Sequence, residues 1–149
     1  MPKPAHTSQS LREWMDVFMH RSMRGWNRFA KTTGLSMPQF SILMQLHYRG
    51  ACGISEIGER FDISAAAASQ LADKLVQSGY LERAEDPHDR RARQLKLSAS
   101  GAKLVHAGLR ERYRWMETLT DSLAPNQQKK VGEALAILTQ AAQKLDPSR

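Results

Sequence analysis

The segment DPHDRRARQLKLSASG, residues 86–101, is unusually basic for a surface turn and is bounded by turn-forming residues. Asp86 and Pro87 favour a reversal of the chain, and three arginines follow within the next six positions. An alternating apolar segment, RQLKL at 93–97, then has the period of a strand, as does the short YLER at 80–83. Together these segments predict a β-hairpin with a basic tip.

Two short helices are predicted immediately before this hairpin. ISEIGERF, residues 54–61, carries its apolar residues on one side. Asp62 then occupies a turn, where Asp tolerates unusual backbone angles, and Ser64 caps a second helix that ends at Gly79. Two short helices joined by a tight turn indicate a helix-turn-helix.

Longer helices are predicted on the N-terminal side. Apolar residues recur at helical spacing from Leu11 to Phe29, and Gly34 provides a stop. A further helix is predicted to open at Ser36 with Pro38 in its first turn, where a missing N–H costs nothing.

Two more helices are predicted after the hairpin. Ser98 caps a helix of about 25 residues, or about 37 Å at 1.5 Å per residue, and another helix starts at Pro125 with apolar residues at near-heptad spacing. These lengths exceed what a small core can cover. We therefore expect two chains to pair through the helices at 8–33 and 98–146.

The composition fits one folded domain with a basic surface. The chain has 149 residues, of which 41% are hydrophobic and 25% charged, and its net charge is +7. That surplus favours polyanionic partners, nucleic acid first and anionic membranes second, although many basic proteins bind neither. No apolar run approaches the roughly 18 residues of a membrane span, and the N-terminus lacks a hydrophobic signal core. We expect a cytoplasmic protein.

The order of helix, helix, helix and hairpin is that of a winged helix-turn-helix, and the run from Leu35 to Gly101 resembles the MarR (multiple antibiotic resistance regulator) family. LSMPQFSILMQL, ISEIGERFDIS, LADKLVQSGYLER and DPHDRRARQLKLSASG carry the resemblance. The last matches the family's wing signature, an acid followed two places later by Arg, then a Leu, a Ser/Thr and a Gly. The resemblance implies a mainly α fold with a small β-hairpin (α+β). It implies one MarR-like domain over 1–149, with a winged helix-turn-helix DNA-binding lobe at 36–97 and flanking dimerisation helices at 8–33 and 98–146.

The second helix of the helix-turn-helix is predicted to enter the DNA major groove, where the N-terminal residues of such a helix face base edges. The candidate contacts are Ser64, Ala65, Ala66, Ser69, Gln70 and Lys74, while Ala68, Leu71 and Leu75 face inward. Gln70 can read adenine, and Lys74 is better placed for phosphate. Four consecutive alanines allow close approach but few directed hydrogen bonds, so DNA shape and the wing are expected to supply much of the specificity.

The arginines of the wing are the remaining DNA-binding candidates. The resemblance implies that Arg91 enters the minor groove, where narrow A·T-rich segments concentrate negative potential. Asp89 would hold that guanidinium through a charge-assisted hydrogen bond, and Arg90 and Arg93 could neutralise phosphates. The alternative is a solvated hairpin whose acids and bases cancel.

A ligand site is implied by the resemblance, because the family commonly binds small aromatic or phenolic anions between its dimerisation helices and its DNA-binding lobe. The aromatic candidates are Trp14, Phe18, Trp26, His47, Tyr48 and Trp115. The same side chains could equally form plain core.

Catalytic and metal sites are not predicted. The five histidines show no metal-ligand spacing, and no Ser/His/Asp grouping, paired carboxylates or phosphate loop is present, so we expect neither an enzyme nor a cofactor. Cys52, the single cysteine, excludes an internal disulfide and is expected to be a buried thiol, with a redox role as the alternative.

The functional hypothesis is a homodimeric, sequence-specific DNA-binding transcriptional regulator that binds a pseudo-palindromic operator. Repression relieved by a small aromatic ligand is the expected mode. A non-specific architectural DNA-binding protein and a winged-helix module for protein–protein contact are the alternatives.

Overall fold

The structure is a computed structural model that describes residues 4–89 and 92–145. Its elements are α1 (Pro4–Thr33), α2 (Met37–Arg49), α3 (Ile54–Phe61), α4 (Ala65–Gln77), β1 (Leu81–Glu85), β2 (Arg93–Leu97), α5 (Ala99–Asp121) and α6 (Pro125–Leu145). The predicted fold class, mainly α with a small β-hairpin, is confirmed. The chain divides into two compact units, 1–112 and 113–149.

The turn between α3 and α4 forms as the sequence predicts. Asp62 adopts the left-handed conformation with φ 52°, which reverses the chain after α3, and the Ile63 amide donates to the Gly58 carbonyl at 3.0 Å. Ser64 then caps α4, because its hydroxyl oxygen accepts from the Ala67 amide at 3.1 Å. Local hydrogen bonds therefore fix the helix-turn-helix.

The start of α2 is held by a reciprocal cap. The Gln39 amide donates to the Ser36 hydroxyl oxygen at 3.3 Å, and the Ser36 amide donates to the Gln39 side-chain oxygen at 2.9 Å. Pro38 lies in the first turn, and Gly50 ends the helix with φ 83°. The predicted opening at Ser36 is confirmed.

The hairpin is antiparallel, with Leu81 opposite Leu97 and Arg83 opposite Leu95. The second strand has the predicted bounds, whereas β1 begins one residue later than predicted and continues to Glu85. The extension occurs because cross-strand pairing, rather than the apolar period of YLER, sets the end of the strand.

A third segment joins the hairpin edge at Cys52. Its amide donates to the Leu95 carbonyl at 3.1 Å, and the Leu95 amide donates to the Cys52 carbonyl at 2.8 Å. The sequence predicts no strand here, because one extended residue between Gly50 and Gly53 has no period to detect.

The core of the first unit joins α2, α3, α4, the hairpin and the start of α5. Its most deeply buried large side chains are Phe40, Ile42, Leu43, Ile57, Leu75, Leu81, Leu95 and Val105. A second cluster contains Trp26, Ala30 and Phe40. Because Gly108 lacks a side chain, α5 approaches α1 closely: a Cβ there would lie 2.9 Å from the Trp26 ring.

The second unit contains the end of α5 and all of α6. The Ala124 amide donates to the Gln127 side-chain oxygen at 2.9 Å, and the Gln128 side-chain amide donates to the Thr120 carbonyl at the same distance. These bonds fix the turn between the two helices. In the part of the chain that the structure describes, no helix combines the length and the apolar character needed to cross a membrane.

Candidate nucleic-acid interface

The N-terminal half of α4 presents the predicted reading face to solvent. Ser64, Ala65, Ala66, Gln70 and Lys74 are exposed, and Ser69 is half-buried. On the opposite side, Ala68 and Leu75 are fully buried, as predicted. The helix therefore packs through one side and leaves a side of small and polar residues open.

Leu71 faces inward as predicted, because it is half-buried and packs against the core. It borders an open apolar groove of about 380 Å³. The groove is lined by Met37, Pro38, Ser41, Ile42, Phe61, Ile63, Ala67 and Leu71.

The hairpin turn is organised around Asp86. One carboxylate oxygen accepts from the His88 amide at 2.8 Å, and the other accepts from the Gln94 side-chain amide at 3.1 Å. The Asp86 amide also donates to the Ala92 carbonyl at 3.2 Å. Asp86 thus closes the turn, as predicted, and also ties it to β2.

The wing arginines are described only in part. Arg93 is the first residue of β2 and is exposed, as is Asp89 in the turn. Arg90 and Arg91 lie outside the described residues, so the predicted bond between Asp89 and Arg91 stays a prediction.

An ion pair joins α4 to the hairpin. The Arg83 guanidinium on β1 donates to the Asp73 carboxylate on α4. A second pair, Lys96 with Glu82 at 3.4 Å, lies within the hairpin. The sequence interpretation missed the Asp73–Arg83 pair, because residues ten positions apart on two different elements share no sequence pattern.

The candidate ligand residues differ in their burial. Trp26 is only 6% exposed and packs edge-on against Phe40, with ring centroids 4.5 Å apart. It is therefore a core residue, because the aromatic edge-to-face contact removes it from water. Of the two roles that the sequence left open for Trp26, lining a ligand crevice or forming core, its burial favours the core.

Two of the other candidates lie together at the end of α2. The rings of His47 and Tyr48 have centroids 5.1 Å apart, and His47 has the same separation from His106 on α5. Tyr48 is 64% exposed. His106 was missed, because a single histidine on a long helix carries no distinguishing pattern.

The remaining candidates lie on other segments. Trp14 is exposed and Phe18 half-buried on the N-terminal half of α1, whereas Trp115 belongs to the second unit.

Cys52 is buried, as predicted. The Gln45 side-chain amide donates to its sulfur at 3.8 Å. Burial, and secondarily the negative charge of Glu56, raises the pKa of the Cys52 thiol above the usual 9.0. A thiol with a raised pKa carries little thiolate at neutral pH, which disfavours reaction with oxidants.

This shift predicts an alkaline loss of stability. Because the folded state holds the Cys52 proton more tightly than the unfolded state, the stabilisation is complete below pH 9 and is lost as pH rises through the folded pKa. We expect the free energy of unfolding to fall more between pH 8 and pH 10.5 in the natural chain than in Cys52→Ala, measured by urea titration at one protein concentration. Equal falls in the two chains would contradict the shift.

Metal ligands do not converge in the described residues, 4–89 and 92–145. No three His, Cys, Asp or Glu side chains lie close enough there to hold an ion.

Comparisons with known proteins agree with this architecture. The model of the MarR family matches residues 35–92. An HTH-type transcriptional regulator of Bacillus subtilis, YfiV, is 32% identical over 108 residues, which cover 72% of this chain and 67% of the relative. The transcriptional repressor MdtR of the same organism is 28% identical, over 74% of this chain and 71% of its own.

The fold is also similar to that of a solved transcriptional regulator. Tm0710 from Thermotoga maritima superposes with a TM-score of 0.83 at 22% identity, over 95% of this chain and 99% of that one. The family match, the YfiV similarity and this likeness of fold agree with one another. The chain therefore belongs to the MarR family of transcriptional regulators.

Proposed function

We propose that the chain is a homodimeric transcriptional regulator that binds a pseudo-palindromic DNA operator. The lobe at 36–97 would contact DNA, and the helices within 8–33 and 98–146 would pair the two chains. The observation that carries the proposal is the exposed N-terminal face of α4 together with a basic hairpin, whose turn is held by the bond from the Gln94 side chain to Asp86. Membership of a family of transcriptional regulators supports the same conclusion.

The reading face suits a major groove. An α-helix fits that groove, and the small side chains of Ala65 and Ala66 allow the backbone to approach thymine methyl groups. Gln70 can bind adenine through two hydrogen bonds, Ser64 and Ser69 can bond bases or phosphates, and exposed Lys74 would contact phosphate.

The wing supplies the second contact. Arg91 would enter the adjacent minor groove, with Asp89 holding its guanidinium, while Arg90 and Arg93 would neutralise phosphates. The Asp86 bonds to the His88 amide and to the Gln94 side chain support this arrangement, because they tie the start of the turn to β2.

The dimer is supported by apolar side chains that the single chain leaves in water. On α6 the exposed aliphatic residues Val131, Leu135, Leu138 and Leu145 follow near-heptad spacing. On α1 the exposed apolar residues are Leu11, Trp14, Met15, Val17 and Met19. A two-fold dimer would place half-sites about one helical turn, roughly 10 bp, apart.

Repression relieved by a ligand is the proposed mode. The relative MdtR is named a repressor. A small aromatic or phenolic effector could use the aromatic residues that remain outside the core, such as His47 and Tyr48. The effector would weaken DNA binding if it favoured a spacing of the two DNA-binding lobes that does not fit the operator. By linkage, bound DNA would lower the affinity of the protein for the effector by the same factor.

Fluorescence anisotropy with two duplexes tests the DNA-binding proposal. One duplex carries an inverted repeat from the promoter nearest the gene, and the other has the same composition scrambled. We expect strong preference for the repeat and a negative linear dependence of log K on log salt. Equal binding to both duplexes would indicate an architectural protein. No binding at low salt would leave a module for protein–protein contact.

Arg91→Ala is expected to weaken operator binding by about 1–3 kcal/mol while leaving the dimer intact. The matched control is Arg93→Ala, which removes the same charge from the hairpin. It should weaken operator and scrambled duplex about equally, because a phosphate contact carries no sequence information. Unchanged operator affinity for Arg91→Ala in a gel-shift series would remove the wing from the mechanism.

A further inference from the structure

The Asp73–Arg83 pair connects the two elements that are proposed to contact DNA. Asp73 lies on α4, next to Lys74 and one helical turn from Gln70, and Arg83 lies in the middle of β1. The guanidinium donates to the carboxylate, and both side chains are about half exposed, at 41% for Arg83 and 49% for Asp73. The pair therefore spans the surface between reading helix and hairpin.

An acid at this place is unexpected on electrostatic grounds. A carboxylate on a helix that enters a groove lies close to phosphates and repels them, which lowers affinity. If attraction to phosphate were the only requirement on this helix, Asp73 would be unfavourable, because its charge offsets that of the adjacent Lys74. The cost is offset if the carboxylate positions something that binding needs.

Backbone bonds hold the base of the hairpin and, through Cys52, the outer edge of β2 at Leu95. The Tyr80 amide donates to the Leu75 carbonyl at 2.9 Å, and the Ser98 amide donates to the Tyr80 carbonyl at 3.1 Å. Both bonds lie where β1 begins and β2 ends. Arg83 lies farther along β1, opposite Leu95, so its bond to Asp73 adds a restraint from α4 on β1, whereas the Cys52 bonds hold β2.

We propose that Asp73 and Arg83 are positioning residues that fix the hairpin against α4, so that the helix and the wing contact DNA as one rigid unit. This inference rests on the proposed function. Neither side chain needs to touch DNA, because the pair acts through the placement of Arg91.

The test compares two substitutions that each remove one negative charge and break one ion pair. Asp73→Ala breaks the link between α4 and the hairpin, whereas Glu82→Ala breaks the Lys96 pair inside the hairpin. We expect Asp73→Ala to weaken operator binding about five- to tenfold, despite the loss of a charge that repels DNA. Glu82→Ala should bind as the natural chain does, within about twofold.

Asp73→Asn provides the conservative variant. Its amide oxygen can still accept from Arg83, so it should recover most of the affinity lost in Asp73→Ala. A purely electrostatic effect predicts instead that both substitutions tighten binding equally, because they remove the same charge.

The Arg91→Ala background shows whether the effect passes through the wing. In this background the wing has no arginine to place in the minor groove. Asp73→Ala should therefore change operator affinity by less than about twofold. Unchanged thermal unfolding of each variant confirms that the fold is intact.

Three results would overturn the inference: tighter or equal operator binding by Asp73→Ala, a loss of the same size in Glu82→Ala, or a full loss that persists in the Arg91→Ala background. The natural chain separates these from failure of the proposed function. If it shows no preference for any inverted repeat, the proposed function fails; if it shows that preference and a variant gives one of the three results, only the positioning role fails.

Discussion

A chain that carries Leu135→Glu and Leu138→Glu is expected to remain monomeric and to lose operator binding by at least about a hundredfold. Both leucines lie on the near-heptad stripe of α6 and are exposed in the single chain, at 47% and 36%. Burying two carboxylates per chain in an apolar dimer interface costs free energy, so the dimer would not form. A monomer can occupy only one half-site and loses the second, linked contact.

The matched control is Ile137→Glu. Ile137 is aliphatic, lies on the same helix and is 68% exposed, but it points away from the stripe that includes Leu135 and Leu138. It should sediment as a dimer and bind the operator normally. Sedimentation velocity at micromolar concentration measures the outcome. If the unmodified chain sediments only as a species of about 17 kDa, pairing through the terminal helices is wrong.

Trp26→Ala is expected to lower the free energy of unfolding by about 3–5 kcal/mol, or Tm by about 10–15 °C. Trp26 is 6% exposed, meets the Phe40 ring edge-on at 4.5 Å and lies against Gly108 of α5. Its removal leaves a cavity that backbone from α1 and α5 cannot readily fill. Urea titration at a fixed protein concentration measures the change.

Tyr48→Ala is the control for this substitution, because Tyr48 was predicted to share a ligand site with Trp26 but is 64% exposed. Its effect on stability should stay within about 0.5 kcal/mol. A loss below about 1 kcal/mol in Trp26→Ala would show that the indole does not support the core and would return Trp26 to the candidate ligand residues.

Most of the fold could be predicted because residues close in sequence set where its helices and turns begin and end. Ser36, Ser64 and Ser98 each accept a backbone N–H at the start of a helix, and Asp62 supplies the left-handed turn between α3 and α4. Such signals depend on residues within three or four positions of one another. Periodicity likewise identified the buried side of α4 through Ala68 and Leu75.

The contacts that were missed are long-range and concern single residues. Cys52 pairs with Leu95, and Asp73 with Arg83, through tertiary placement that no local period encodes. The burial of Trp26 could not be predicted from the sequence either. Aromatic residues at helical spacing on α1 give the same pattern whether they pack within the chain, against a second copy or around a ligand.

Selection of binding sequences from a random pool of duplexes tests the central claim most directly. If two chains each place α4 in a major groove, the recovered sequences should share an inverted repeat with half-sites centred about 10 bp apart. Bases next to each half-site should be A·T-rich where the wing meets the minor groove. Recovery of unrelated sequences, or of a single site without two-fold symmetry, would contradict the account.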